Sequence, residues 1–129
     1  IKVKEQGNIL FTVSEKDKGE ALQLAERFTE LGYMLLATEG TAAYFKKNGL
    51  KVETVGKIGK SDYSVLDAVY GTKVDMIINT PNKEVSAARD GFKIRRAASE
   101  QGIVCLTSLD TANALLKVLE SMSFNIQVI

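Results

Sequence analysis

Short apolar runs alternate along this chain with longer stretches in which apolar residues return every three or four positions. Asn8-Ile-Leu-Phe-Thr-Val13 is almost continuously apolar and reads as a buried strand. Ser14 to Asp17 turns the chain into a helix whose inner face carries Ala21, Leu24, Ala25, Phe28 and Leu31, with Asp17-x-x-Glu20 at the spacing of a capping box. Gly32 ends that helix. Tyr33 to Ala37 is a second strand, and a second helix runs from about Gly40 to Asn48 before Gly49.

The second half repeats the alternation. Lys51 to Val55 is a short strand near an edge, and the glycines and polar residues of Gly56 to Asp62 predict a mobile loop. A third helix over Ser64 to Tyr70 turns Val65, Leu66 and Val69 inward, and Val74 to Ile78 is the most apolar strand of this half. After Asn79-Thr80-Pro81-Asn82, a polar segment leads into a helix over Phe92 to Gln101 with the stripe Ile94, Ala97 and Ala98, closed by Gly102. Ile103 to Leu106 is a fifth strand, and Leu115, Val118, Leu119 and Met122 mark a last helix. Phe124, Ile126 and Val128 alternate, which predicts an extended tail. Apolar strands alternating with amphipathic helices predict an α/β fold of three layers, a parallel sheet with helices on both faces.

Composition narrows the function classes. The 129 residues suit one domain, and 45% hydrophobic with 26% charged is ordinary for a globular chain. Seventeen basic and sixteen acidic residues leave a net charge of +1, so no global field draws nucleic acid or a membrane surface. No apolar run approaches the roughly 20 residues that span a bilayer, and no signal-peptide pattern opens the chain. There is no histidine and only one cysteine, which argues against a transition-metal site and removes the usual neutral-pH base. Cys105, in Ile103-Val-Cys-Leu106, reads as a buried structural residue, and a reducing cytoplasm is the expected compartment. The chain opens at Ile1 rather than methionine, so it is expected to be a piece of a longer polypeptide.

In such sheets ligands lie beyond the carboxyl ends of the strands. Those ends carry Thr12 with the Ser14–Lys18 turn, Thr38 to Thr41, Lys57 with Lys60, Asn79 with Thr80, and Thr107 to Asp110. The Thr38-Glu39-Gly40-Thr41 turn opens a helix, where unpaired backbone N–H groups and the positive end of the helix dipole suit a phosphate. Gly40 lets the backbone come close, and Thr38 and Thr41 add hydroxyls. Lys18, Lys57 and Lys60 offer charge, and Asn79 offers hydrogen bonds to a sugar or base. The plainer alternative is that Thr38 is an ordinary helix cap and the lysines are solvated surface charges.

Four motifs together, Phe11-Thr-Val-Ser-x-x-Asp17-Lys18, Ala37-Thr-Glu-Gly-Thr-Ala42, Ile77-Ile-Asn-Thr80 and Ile94-Arg-Arg-Ala97, resemble the methylglyoxal-synthase-like domain that closes the large chain of carbamoyl-phosphate synthase. The resemblance runs from about Gly7 to Met122. It implies a doubly wound, Rossmann-type, five-stranded parallel sheet that binds nucleoside monophosphate effectors, uridine monophosphate as inhibitor and inosine monophosphate as activator in bacterial relatives. Effector contacts would fall on Thr12, Lys18, Thr38, Gly40, Thr41, Lys57, Asn79 and Thr80, with no catalytic residue and no cofactor in the domain itself. The implied partners are the catalytic domains of the same chain, which use ATP with magnesium and potassium ions, and a small glutaminase subunit. Together they would make carbamoyl phosphate for pyrimidine and arginine biosynthesis. Pro81 stands where relatives often carry a second threonine, and Arg95 and Arg96 match paired arginines of the family. The alternative is methylglyoxal synthase itself, which eliminates phosphate from dihydroxyacetone phosphate with an aspartate base and a nearby histidine. Asp62 fits that aspartate, but it lies in Lys60-Ser-Asp-Tyr63 instead of Gly-Gly-Asp-Gln and is equally explained as a cap of the third helix.

Overall fold

A computed structural model describes residues 6–128, with side chains to residue 123. Five strands, β1 (Asn8–Thr12), β2 (Met34–Thr38), β3 (Glu53–Val55), β4 (Met76–Asn79) and β5 (Val104–Leu106), form one sheet in the order β3-β2-β1-β4-β5. Every pairing is parallel. The helices are α1 (Lys18–Glu30), α2 (Glu39–Lys47), α3 (Val65–Tyr70), α4 (Val85–Gln101) and α5 (Leu109–Val128). The chain winds outward from β1 through β2 to β3, then crosses back to β4 on the other side of β1. A crevice therefore opens beyond the carboxyl ends of β1 and β4, where the winding reverses.

The pleat of β1 divides the core. Ile9 and Phe11 face Phe28 of α1, Phe45 of α2 and Leu116 of α5, while Leu10 faces the opposite side with Val65 and Val69 of α3 and Ile94, Ala97 and Ala98 of α4. All five residues of the first group and Leu10 are fully buried, and Phe11 meets Phe45 edge-on at 5.3 Å between ring centres. The predicted three-layer α/β architecture and the buried stripes of α1 and α4 are thus present. No helix among the described residues is long and apolar enough to cross a membrane.

Several local expectations need correction. Helix α4 starts at Val85, inside the segment expected to be a polar lead-in. Its first turns pack little of their surface, and only from Ile94 onward does it bury an apolar stripe. Helix α5 buries Leu109, Ala112, Leu116 and Leu119, whereas Val118 and Met122 of the expected stripe face solvent and Leu115 is half-buried. The tail is helical to Val128 rather than extended; no glycine or proline interrupts it. Asp17 does not cap α1, because it already has helical dihedrals (φ −97°, ψ −4°) at the end of a 3₁₀ turn over Glu15–Asp17. Its carboxylate instead accepts the Ser14 hydroxyl at 2.6 Å. Nor does Asp62 cap α3: Ser64 occupies that position and its N–H donates to Asp67 Oδ2 at 2.8 Å. Cys105 is half-buried, not sealed in the core, because β5 is an edge strand.

Candidate functional site

The crevice is an open cavity of about 350 Å³. Its floor is the end of the two central strands. Thr12 and Asn79 are register partners across β1 and β4, and the Thr12 hydroxyl donates to Asn79 Oδ1 at 2.9 Å. The Asn79 amide donates in turn to the Gly91 carbonyl of α4 at 3.1 Å, so this 3% exposed side chain ties sheet to wall. Thr80 completes the floor. Its hydroxyl oxygen accepts the Ser14 N–H at 2.8 Å, and its own N–H donates to the Thr12 carbonyl at 3.2 Å.

One side of the cleft is the start of α2. Thr38 is the N-cap with extended dihedrals (φ −68°, ψ 162°), yet its hydroxyl makes no capping hydrogen bond. The plain-cap alternative for Thr38 therefore fails geometrically. The first N–H groups of α2 have no side-chain acceptor among the described residues, and they open beside a cavity that Thr38, Gly40 and Thr41 line. Lys18 reaches over this turn from α1: its Nζ lies 3.2 Å from where a Cβ on Gly40 would sit. Any side chain at residue 40 would push the ammonium away. Lys18 is only 16% exposed, and it pairs with the 86% exposed Glu15.

Lys57 approaches from the loop after β3. That loop is closed at its base by Gly56, whose N–H donates to the Tyr63 carbonyl and whose carbonyl accepts the Val65 N–H, both at 3.0 Å. A Cβ on Gly56 would fall 2.1 Å from the Ser61 Cβ, so glycine is required there. Lys57 is exposed and has no ionic partner among the described residues.

All eight candidate residues, Thr12, Lys18, Thr38, Gly40, Thr41, Lys57, Asn79 and Thr80, line this one cavity. Other candidates do not. Thr107 to Asp110 border a separate hollow with Asp17 and Pro81. Lys60 and Asp62 are exposed outside the cleft lining. Arg95 stacks 5.9 Å from the Phe92 ring centre, and Arg96 pairs with Glu100 at 3.4 Å on the outer face of α4. Among the described residues no acidic or cysteine cluster is arranged to hold a metal ion.

The opposite wall lies outside the strand ends that the sequence marks. Ser86, Ala87, Asp90 and Gly91 line the cleft from the first half of α4 and Glu84 from the residue before it, while Glu15 lines it from the 3₁₀ turn. The signal that was present is Ala87-Ala88, two strong helix formers within an otherwise polar run.

The sequence model of the MGS-like domain family matches residues 20–107, more than half of the chain. Among solved structures, the crystal structure of ForH is similar with a TM-score of 0.67 at 20% identity, over 89% of this chain and 79% of that one. Methylglyoxal synthase from Elizabethkingia anophelis NUHP1 is similar with a TM-score of 0.65 at 16% identity, over 88% and 79% respectively. At these identities the likeness is one of fold.

Proposed function

This chain belongs to the MGS-like domain family, and we propose that it is a regulatory member whose cleft binds a nucleoside monophosphate. The observation that carries the proposal is the meeting of Lys18, Gly40 and the start of α2, uncapped by the Thr38 side chain, on one side of a cleft floored by Thr12 and Asn79. A phosphate on the α2 N-terminus takes backbone N–H bonds and the helix dipole together. Lys18 adds a charge-assisted bond from a site already largely withdrawn from water, and Lys57 closes over the outer side. Asn79, Thr12 and the α4 wall then face the remainder of the ligand with hydrogen-bonding groups. A volume of about 350 Å³ suits a small phosphorylated ligand.

On the finer level we assign the chain to the effector domain of a carbamoyl-phosphate synthase large chain, on the four motifs described above. In that role uridine and inosine monophosphates control carbamoyl phosphate synthesis by the catalytic domains of the same polypeptide, which consume ATP with magnesium and potassium ions and receive ammonia from the glutaminase subunit. The domain itself needs no cofactor and works in the cytoplasm.

The family and the fold also admit methylglyoxal synthase. Against it, Asp62 lies outside the cleft lining and the sequence has no histidine to assist an elimination. Calorimetric titration of this domain with uridine monophosphate, inosine monophosphate and uridine tests the regulatory reading. Binding of at least one nucleotide with far weaker binding of the nucleoside is expected. Absence of binding by all three would remove it.

A further inference from the structure

The cleft is lined by four carboxylates, Glu15, Glu39, Glu84 and Asp90, against two lysines, Lys18 and Lys57. That excess of negative charge is unusual for a site that takes an anion. Glu15 stands apart from the other three because it already pairs with Lys18, the cation nearest the α2 turn, at 2.5 Å. Its side chain is 86% exposed while Lys18 is 16% exposed, so the carboxylate projects from the 3₁₀ turn into the mouth and meets the ammonium from the solvent side.

We propose that Glu15 is a specificity-determining residue: it occupies Lys18 in the empty cleft and restricts the site to phosphate monoesters, against di- and triphosphates. The inference rests on the cleft being a phosphate site. A phosphate at the start of α2 competes with Glu15 for the same ammonium, which lies 3.2 Å from the Cβ position of Gly40. A dianion with three acceptor oxygens and helix N–H groups behind it wins that exchange, because an exposed carboxylate pair is weak in water. The displaced Glu15 carboxylate stays at the mouth of a cleft that Glu39 also lines. A monoester leaves that region to neutral atoms. A second or third phosphate brings further negative charge against it, and the other helix start lining the cleft, that of α4, carries the Glu84 carboxylate at its N-cap, which opposes an added anion.

Titrating wild type and Glu15→Gln with uridine mono-, di- and triphosphate, and with inorganic phosphate and pyrophosphate, at fixed ionic strength without divalent cations, tests this. The variant is expected to gain about two- to threefold for the monophosphates and about tenfold for the triphosphate and pyrophosphate, the larger gain following the larger ligand charge. Equal gains for all ligands, no gain, or a uniform loss showing that Glu15 merely positions Lys18, would each overturn the proposal. If nucleotides fail to bind but phosphate and pyrophosphate show the graded gain, the selectivity role stands and the nucleotide reading falls. If neither protein binds any of them, both fall. Melting temperatures of the two proteins should agree, since the Glu15 side chain is almost fully solvated.

Discussion

Thr12 and Asn79 are partners twice over, as paired residues of β1 and β4 and through the 2.9 Å bond from the Thr12 hydroxyl to Asn79 Oδ1. This places the point where the winding of the sheet reverses and the floor of the cleft in one pair of side chains. Asn79→Ala strips that bond and the one to the Gly91 carbonyl from a 3% exposed position. It should cost about 1–3 kcal/mol of stability and loosen the α4 wall, lowering ligand affinity as well. Urea unfolding of the variant with unchanged midpoint and slope would contradict this. Asn79→Asp should be worse than its shape suggests, because an acceptor replaces the donor that faces Gly91 O.

Much of this site was legible because the carboxyl-end rule needs only strand endings, and the apolar runs ending at Thr12, Thr38 and Asn79 mark those sharply. The wall opposite was hidden. From Val85 to Phe92, α4 shows no apolar periodicity because that half of the helix faces the cleft and solvent, and Val85 and Phe92 are exposed at 66% and 58%. Gly91 within it reads as a breaker, although in the fold it lies inside the helix and its carbonyl accepts the Asn79 amide. The buried phase of α5 differs from the expected one for a related reason. Ala112, wholly buried, counts little in a search for large apolar residues, while solvent-facing Val118 counts heavily. The expected caps at Asp17 and Asp62 do not form because residue type alone does not fix which of several nearby acids and serines adopts the extended N-cap conformation; Ser64 does so before α3.

Helices α1 and α5 are joined by a bidentate pair, Arg27 Nε and Nη2 to Glu120 at 3.0 and 2.6 Å, with Arg27 Nη1 donating to Asn113 at 2.8 Å. The hydrogen bonds from Arg27 hold the Glu120 carboxyl below its ordinary range. A depressed folded-state value means the stabilisation is present above the unfolded pKa and is lost as pH falls through the folded one. Side-chain exposures of 32% and 37% keep the pair partly solvated, so Glu120→Gln should cost only about 0.5–1 kcal/mol at neutral pH. Unfolding measured from pH 7 downward should show the gap between wild type and variant closing in acid. A gap that stays constant would contradict the assignment.

Burial pushes the Cys105 thiol up, an effect only partly opposed by Arg95. Less thiolate and a half-buried sulfur both slow attack on a thiol reagent. Native protein near neutral pH should therefore be labelled at a fraction of the rate of urea-unfolded protein. Equal rates would show that β5 opens freely.

The protein should form no methylglyoxal from dihydroxyacetone phosphate, since Asp62 is exposed outside the cleft lining and histidine is absent. A coupled assay for methylglyoxal decides this. Turnover that vanishes in Asp62→Asn would favour the lyase reading over the regulatory one.

The central claim is that Lys18 and the start of α2 hold the phosphate of a nucleoside monophosphate, and titration of wild type, Lys18→Ala and Thr41→Val by calorimetry tests it most directly. Lys18→Ala should lose about 1.5–3 kcal/mol of binding, roughly a factor of 10–150, and Thr41→Val about 0.5–1.5 kcal/mol, charged contacts being the stronger class. Uridine, lacking the phosphate, should bind wild type far more weakly and respond little to Lys18→Ala. A nucleotide that binds all three proteins with equal affinity would place its phosphate elsewhere and reduce the Thr38–Thr41 turn to the beginning of a helix.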